Sequence, residues 1–487
     1  MRIRWLATLF LLLGLATTGA AQQQERTCDI ARSGRIDRAP EIATFLDPFE
    51  FRCDDGTVLS ANQGTLNTTT REMHLIGNVY YKDPTRTLTA QDAVYDNSIG
   101  RLYATGNAVF TDETQGMTMS GPELEYFKEM PPGRPQAQVN AGQRPHLTLK
   151  PKPKAAEPGA APKNDEPLEI DGDRMTMVGE NDLSVFGNVV IVRPDMRATA
   201  GEARYNGATE GLELRQNAQI YNDDYTLRGE VIQARMPGGE LEHVESHTHS
   251  FLEGKDLTVT AAELQMFFEG GELQRTVARG GGEGIERPLA VSKSFKLQAD
   301  SLDALMPAQQ LEEVIAIGDA RGESVDTTRA DTTARADSTR APAAASATAL
   351  ALSGNDWIMG DTITGFFAAA PDTAAAKPGK PAKADSTTVL KRILSRGSAL
   401  SLYRIEQKKP AEPAGGAAID SSAKKGINFL SGSEIELTFG DGELKVADVR
   451  GLEKGLYLDP NQTLESPAPA KEPAEPATTG ARPGGTG

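Results

Sequence analysis

His243, His247 and His249 recur at even spacing together with Glu245. On an extended strand these four side chains share a side, and three imidazoles with a carboxylate make a zinc ligand set. The register of the neighbouring residues opposes that chemistry. Val244, Ser246 and Thr248 align with Val314, Ala316 and Gly318 of a similar later segment, which places the histidines opposite the apolar face. A solvated polar face is the reading. The run Gly280-Gly281-Gly282-Glu283-Gly284 lacks the Lys-Ser/Thr of a phosphate loop and opens no helix, so it predicts a flexible turn. Asp92, Glu123, Glu202, Glu263 and Glu434 each stand two residues after a recurring small residue, and stacked they would form a calcium-binding ladder. Gln63, Arg174, Val231, Ser301 and Thr362 fill the same place in the other units, which fits a solvent-facing corner better. With five histidines in 487 residues, no Ser/His/Asp or Cys/His nucleophile can be assembled. The sequence predicts a protein that is no enzyme, with no metal and no cofactor.

Two cysteines occur, Cys28 and Cys53. Before them, Arg2 and Arg4 precede the apolar run Trp5 to Ala16, and Thr18-Gly19-Ala20-Ala21 offers small residues for cleavage, the pattern of a secretory signal peptide over residues 1–21. In an oxidising compartment the pair predicts a disulfide that pins an N-terminal segment, 22–56; two free thiols in a loose segment are the competing reading. A net charge of −17 argues against a nucleic-acid surface and against a polybasic membrane patch.

The elements that would position any site are repeats. An apolar residue, a spacer and a small residue recur at Ala61, Ala90, Gly121, Gly172, Ala200, Gly229, Ala261, Ala299, Gly360 and Gly432, with uninterrupted steps of 28 to 32 residues. A fixed period of this size marks units that bury their apolar faces only against their neighbours. Residues 87–95 and 101–110 alternate with period two around the turn Asp96-Asn97-Ser98, so one unit is strand, turn, strand. The second strand puts Leu102, Ala104, Gly106, Ala108 and Phe110 on one face. The first changes phase: Leu88 and Ala90 share a parity, whereas Ala93 and Tyr95 have the opposite one. A period of two cannot shift without an extra residue, so a bulge or corner follows the small residue. The distance from the small residue to the next strand's Gly is 15 or 16 residues for Gly77, Gly106 and Gly187, and 19 for Gly280, Gly318 and Gly451. Two kinds of unit predict a sheet whose width changes along its length.

Composition divides the chain into repeats 1–3 at 57–130, a Pro-rich linker at 131–167, repeats 4–8 at 168–326, a low-complexity linker at 327–350, divergent repeats 9–10 with low-complexity inserts at 351–460, and a disordered tail at 461–487.

The segments "LTAQDAVYDNSIGRLYATGNAVF" and "MRATAGEARYNGATEGLELRQNAQIY" resemble the repeats of the OstA/LptA family, and "DLSVFGNVVIVRPD" and "REMHLIGNVYYKDP" carry the similar Gly-Asn-Val of its second strand. The resemblance implies an all-β fold, a repeat-built β-jellyroll or β-taco of stacked antiparallel strands with an apolar groove. It implies transport of lipopolysaccharide in the periplasm, in association with the outer membrane, with acyl chains in the groove. Transport components at the inner and outer membrane would be partners by end-to-end β-augmentation, and head-to-tail self-association would use the same edges. More units than a short bridge protein and long inserts depart from the family pattern and leave the position in the pathway open. The inner-face residues placed in the groove are Leu75, Val79, Leu102, Ala104, Ala108, Phe110, Leu183, Val185, Val189 and Ile191. The alternative is a closed-core β-repeat scaffold or glycan-binding surface protein.

Overall fold

A computed structural model of the chain describes residues 28–150, 167–194, 196–255, 257–280, 286–292, 295–324, 355–369, 388–405, 426–440 and 443–458. The leader at 1–21, the linker at 327–350, the tail at 461–487, residues 281–284 of the glycine run, the insert at 407–425 and most of the insert at 368–386 lie outside them. Among the described residues, apart from the single-turn helices Pro237–Gly239 and Pro307–Gln309, every element is a strand, and the pairings are antiparallel. The chain is all-β. It divides into two compact units, Met1–Ala208 and Thr209–Gly487.

In the first unit each long strand is bent in the middle and belongs to two walls. Glu72–Lys82 pairs with Arg86–Asp96 through residues 72–76 on one wall and 79–82 on the other, with the register interrupted between Ile76 and Val79. Arg101–Asp112 and Met117–Phe127 continue the same two walls, as do Asp182–Arg193 and Met196–Asn206. We term the wall holding 72–76 the first wall and the wall holding 79–82 the second. The second unit repeats the plan from Gly211–Tyr221 to the last strands, Glu443–Arg450 and Lys454–Leu458.

The ten small residues all fall where a strand crosses from the second wall to the first, where the phase shift requires an irregularity. Ladder register slips between Thr89 and Asp92 and between Gly121 and Glu123, and Gly172 and Ala299 lie in gaps between short strands. Strands running the opposite way bend differently. Two consecutive residues there have positive φ: Gly77-Asn78, Gly106-Asn107, Gly187-Asn188, Gln216-Asn217, Thr248-His249, Gly318-Asp319 and Gly397-Ser398. A two-residue corner turns the chain yet leaves side-chain parity unchanged, so Leu102 and Ala104 before it and Ala108 and Phe110 after it stay on one face. Gly187 shows why glycine is needed. Its φ is +75°, and a Cβ would stand 2.3 Å from Asp173 Oδ2. Asn188 Nδ2 donates to that carboxylate at 2.9 Å, which ties the two bends together.

Strand ends are closed by side-chain turns. Asp83 Oδ1 accepts from the amides of Thr85 and Arg86, Asp112 Oδ1 from those of Thr114 and Gln115, and Asn222 Oδ1 from those of Asp224 and Tyr225.

The Pro-rich segment 131–167 is corrected in its described part. Gln138–Gly142 and His146–Leu149 are strands that pair with Met117–Phe127 on the first and second wall, respectively. Val139, Ala141 and Leu147 are buried there, and the alternation Gln-Val-Asn-Ala and His-Leu-Thr-Leu outweighs the prolines, which fall outside both strands. A second bulge interrupts the first-wall ladder between Phe267 and Phe268, Phe366 and Phe367, and Thr438 and Phe439, in the units of Ala261, Gly360 and Gly432.

Candidate functional site in the apolar interior

Between the walls of each unit lies a layer of apolar side chains supplied by every second residue. All ten residues placed in the groove are on this inner side, none more than 3% exposed. Leu75, Leu102, Ala104, Leu183 and Val185 come from the first wall, and Val79, Ala108, Phe110, Val189 and Ile191 from the second. Asn107, in the corner, is exposed. Aromatic rings fill the space between the walls. Tyr81 and Phe110 on the second wall stand 5.6 and 5.3 Å from Tyr126 on the first, and in the other unit Tyr225 stands 6.0 Å from Phe268 and Phe295 5.3 Å from Phe367. Phe45, Phe49 and Phe51 cluster beneath the N-terminal strands. That end is fastened by the Cys28–Cys53 disulfide, formed between directly facing residues of Cys28–Arg32 and Phe49–Cys53.

Opposite the bends, the free ends of the two walls of the first unit are joined by ionic side chains that sequence patterning does not reveal. Arg86, where the chain enters the second wall, donates from Nη1 to Glu129 Oε1 at 2.7 Å and to the Tyr126 hydroxyl at 3.3 Å. Its Nε donates to Asp112 Oδ2 at 2.9 Å. Tyr126 in turn donates to Asp83 Oδ2 at 2.7 Å. Lys128, just past the end of a first-wall strand, donates to Asp55 Oδ2 and Thr57 Oγ1, both at 2.7 Å, in the turn between two second-wall strands. Arg86 and Asp112 are almost entirely enclosed, with side chains 10% and 4% exposed. Burial alone would raise the Asp55 pKa, but hydrogen bonds from Lys128 and Thr57 outweigh it and hold the carboxyl at about 2. Burial is likewise outweighed at Asp112 by bonds from Thr114 and Arg86, and at Glu129 by the bond from Arg86, so both pKa values are lowered. Burial, with Asp83 beside it, pushes the Tyr126 hydroxyl well up.

The polar clusters singled out as ligand sets do not converge. His243 and His247 flank Glu245 at 3.6 and 3.5 Å on the outer side of the first wall, and His243 stacks on Phe267. His249 lies in the corner, 3.6 Å from Glu286. Thr248 shares that corner and is exposed, although the alignment with Gly318 placed it on the apolar face. Among the recurrent carboxylates, Glu123 accepts from Tyr103 at 2.9 Å, Glu202 pairs with Arg204 at 2.8 Å, and Glu434 sits between Arg396 and Arg450 at 2.9 and 3.0 Å. Each of these three carboxylates has its own partner.

At the C-terminal end the lining opens. Glu443–Arg450 and Lys454–Leu458 both pair with Gly426–Gly440 alone among the described residues. Ala447 and Val449 continue the inner rows of Leu437 and Ile435, but are half-exposed. Tyr457 and Leu458 are 47% and 52% exposed. Trp357, Leu402, Phe429 and Leu456 face one another in sequence across four strands on the outer side, so the last strand is apolar on both faces.

No protein-family model matches this chain. No curated protein matches it either.

Proposed function

We propose that the chain is a non-catalytic carrier that binds the acyl chains of lipopolysaccharide, or a similar glycolipid, between its two walls and passes it toward the outer membrane through the periplasm. The observation that carries this reading is the apolar lining, which runs from strand to strand inside each unit and ends half-exposed at Ala447, Val449 and Tyr457. A lipid tail needs no charged site, because each methylene removed from water contributes about 0.8 kcal/mol. Sugars and phosphates would stay outside, which fits a net charge of −17. The expected leader and the disulfide suit an oxidising compartment. Transport components would dock end to end by adding a strand to Glu443–Arg450 and Lys454–Leu458, and head-to-tail self-association would bring Cys28–Arg32 of another copy to the same edge.

A second reading, a closed-core scaffold or glycan-binding surface protein, draws on the same packing. The ring contacts of Tyr81 and Phe110 with Tyr126 fill the interior with the chain's own side chains. A photo-crosslinking residue at Val79 or Val189 separates the two. The carrier predicts capture of lipid in cells at either position and none at Asn107. Equal capture at inner and corner positions would sink the groove, and no capture at any of them would favour the scaffold. Depletion adds a second discriminator: a carrier leaves lipid at the inner membrane and cells sensitive to detergent, a scaffold neither.

A further inference from the structure

The ionic side chains across the free ends of the first unit's walls bear on how any guest reaches its interior. A two-walled strand array has one long opening, opposite the bends, through which a ligand can enter sideways. In the first unit ion pairs cross that opening at two places, Arg86 to Glu129 and Lys128 to Asp55, and Gln115 Nε2 donates to Glu180 Oε2 across it at 3.3 Å. The first bond starts from the turn Asp83–Arg86 on the second wall, and the second starts from the chain just past a first-wall strand. Two cations therefore sit among four carboxylates, Asp55, Asp83, Asp112 and Glu129, with the Tyr126 hydroxyl bridging Arg86 and Asp83. Tyr81, Phe110 and Tyr126 pack directly beneath. Four ion pairs at the same ends of the second unit each run within one wall. Lys255 with Asp224 and Arg404 with Asp356 join strands of the second wall, and Arg235 with Glu242 and Arg275 with Asp303 join strands of the first.

We propose that Arg86, Lys128, Asp55, Asp83, Asp112, Glu129 and Tyr126 form a clasp that fastens the first unit's opening and shuts its interior to sideways entry of an apolar guest. The inference rests on the carrier reading for its biological meaning, but the closure itself is a property of the lipid-free protein. Asp83, Arg86 and Asp112 are enclosed while Glu129 and Asp55 keep part of their surface in water, so parting the walls has to separate the Tyr126–Asp83 and Arg86–Glu129 bonds together. An acyl chain would reach Leu102 or Phe110 along the stacking direction, not across the free ends. Thr57 completes the clasp by accepting from Lys128 beside Asp55.

The test uses the mature, oxidised full chain without lipid. A cysteine is introduced by Leu102→Cys on the inner face, and by Asn107→Cys as the exposed control. Each is reacted with an uncharged maleimide carrying an acyl tail. With the clasp intact, the inner thiol should react far more slowly than the control. In the Lys128→Met/Glu129→Gln background its rate should rise about tenfold while the control stays unchanged, as expected when a local opening becomes easier. An inner thiol that reacts as fast as the control with the clasp intact overturns the proposal. So does an unchanged rate in the folded double variant. If that variant fails to fold, hydrogen exchange on the unaltered chain decides: amides of 83–86 and 126–129 should exchange together and more slowly than those of the turn at 97–99. Exchange as fast as that turn overturns the clasp. Lipid capture is read separately in cells, so slow labelling of Leu102→Cys without any lipid capture would keep the clasp and discard the carrier.

Discussion

Arg86 Nη1 and Glu129 Oε1 lie 2.7 Å apart although one belongs to the second wall and the other follows a strand of the first. Around this bond a connected set of polar side chains joins the first unit's walls, and Arg86 is its hub. Replacing it by alanine leaves Asp112 enclosed without its cation. Arg86→Ala should destabilise the first unit by about 3–5 kcal/mol, whereas Arg204→Ala, whose own side chain is 58% exposed, should cost about 1 kcal/mol or less. Urea unfolding of both variants checks the contrast. Equal small losses would mean the hub is energetically idle.

Acid should loosen the same region. Asp55, Asp112 and Glu129 have folded pKa values below their unfolded ones, so each contributes stability that is present above about pH 4 and is lost as pH falls through the folded value. For Asp55 that value is about 2. The charged groups facing them are Arg86, Lys128 and Asp83, with Tyr81 and Tyr126 remaining neutral throughout. Stability measured from pH 5 to pH 2 should therefore fall, and Lys128→Met should flatten the part due to Asp55. A Lys128→Met curve parallel to that of the unaltered chain would remove Asp55 from the account.

Glycines with positive φ should differ according to what lies beside them. Gly187 and Gly239 both have positive φ, +75° and +79°. A Cβ at Gly187 meets the Asp173 carboxylate at 2.3 Å, whereas at Gly239 nothing lies within 4 Å. Gly239→Ala should cost about 1 kcal/mol from backbone strain alone, and Gly187→Ala should cost about 1–3 kcal/mol more from crowding. Thermal melts that rank the two variants the other way would refute the packing at the bend.

Docking through the last strands predicts a proline effect. Val446→Pro or Val449→Pro removes one backbone donor from Glu443–Arg450. Crosslinking to transport components, and any concentration-dependent oligomer, should be lost, while circular dichroism shows the remaining strands folded. Unchanged capture and oligomer size would show that this edge is not the docking surface.

How much of this was legible in the sequence depended on parity. The phase change after Ala90 betrayed a bend because a one-residue bulge shifts the side-chain alternation. The corner at Gly106-Asn107 left no such trace, since two residues restore the phase, and only the pair of left-handed-tolerant residues hinted at it. The inner positions such as Leu75 and Val189 followed from alternation alone. The strands at 138–142 and 146–149 were hidden by prolines that lie between and around them. The clasp was not legible at all: Lys128 and Asp55 are 73 residues apart, and turn residues carry no periodicity that would pair them.

The most direct measurement of the central claim is a binding titration of the purified mature chain with lipid A analogues that differ only in acyl-chain length. If the acyl chains lie between the walls, affinity should rise with length by about 0.8 kcal/mol, or roughly fourfold, for each methylene buried, until the interior is filled. An affinity independent of chain length would contradict the account, because binding would then depend on the headgroup and the interior would be only a core.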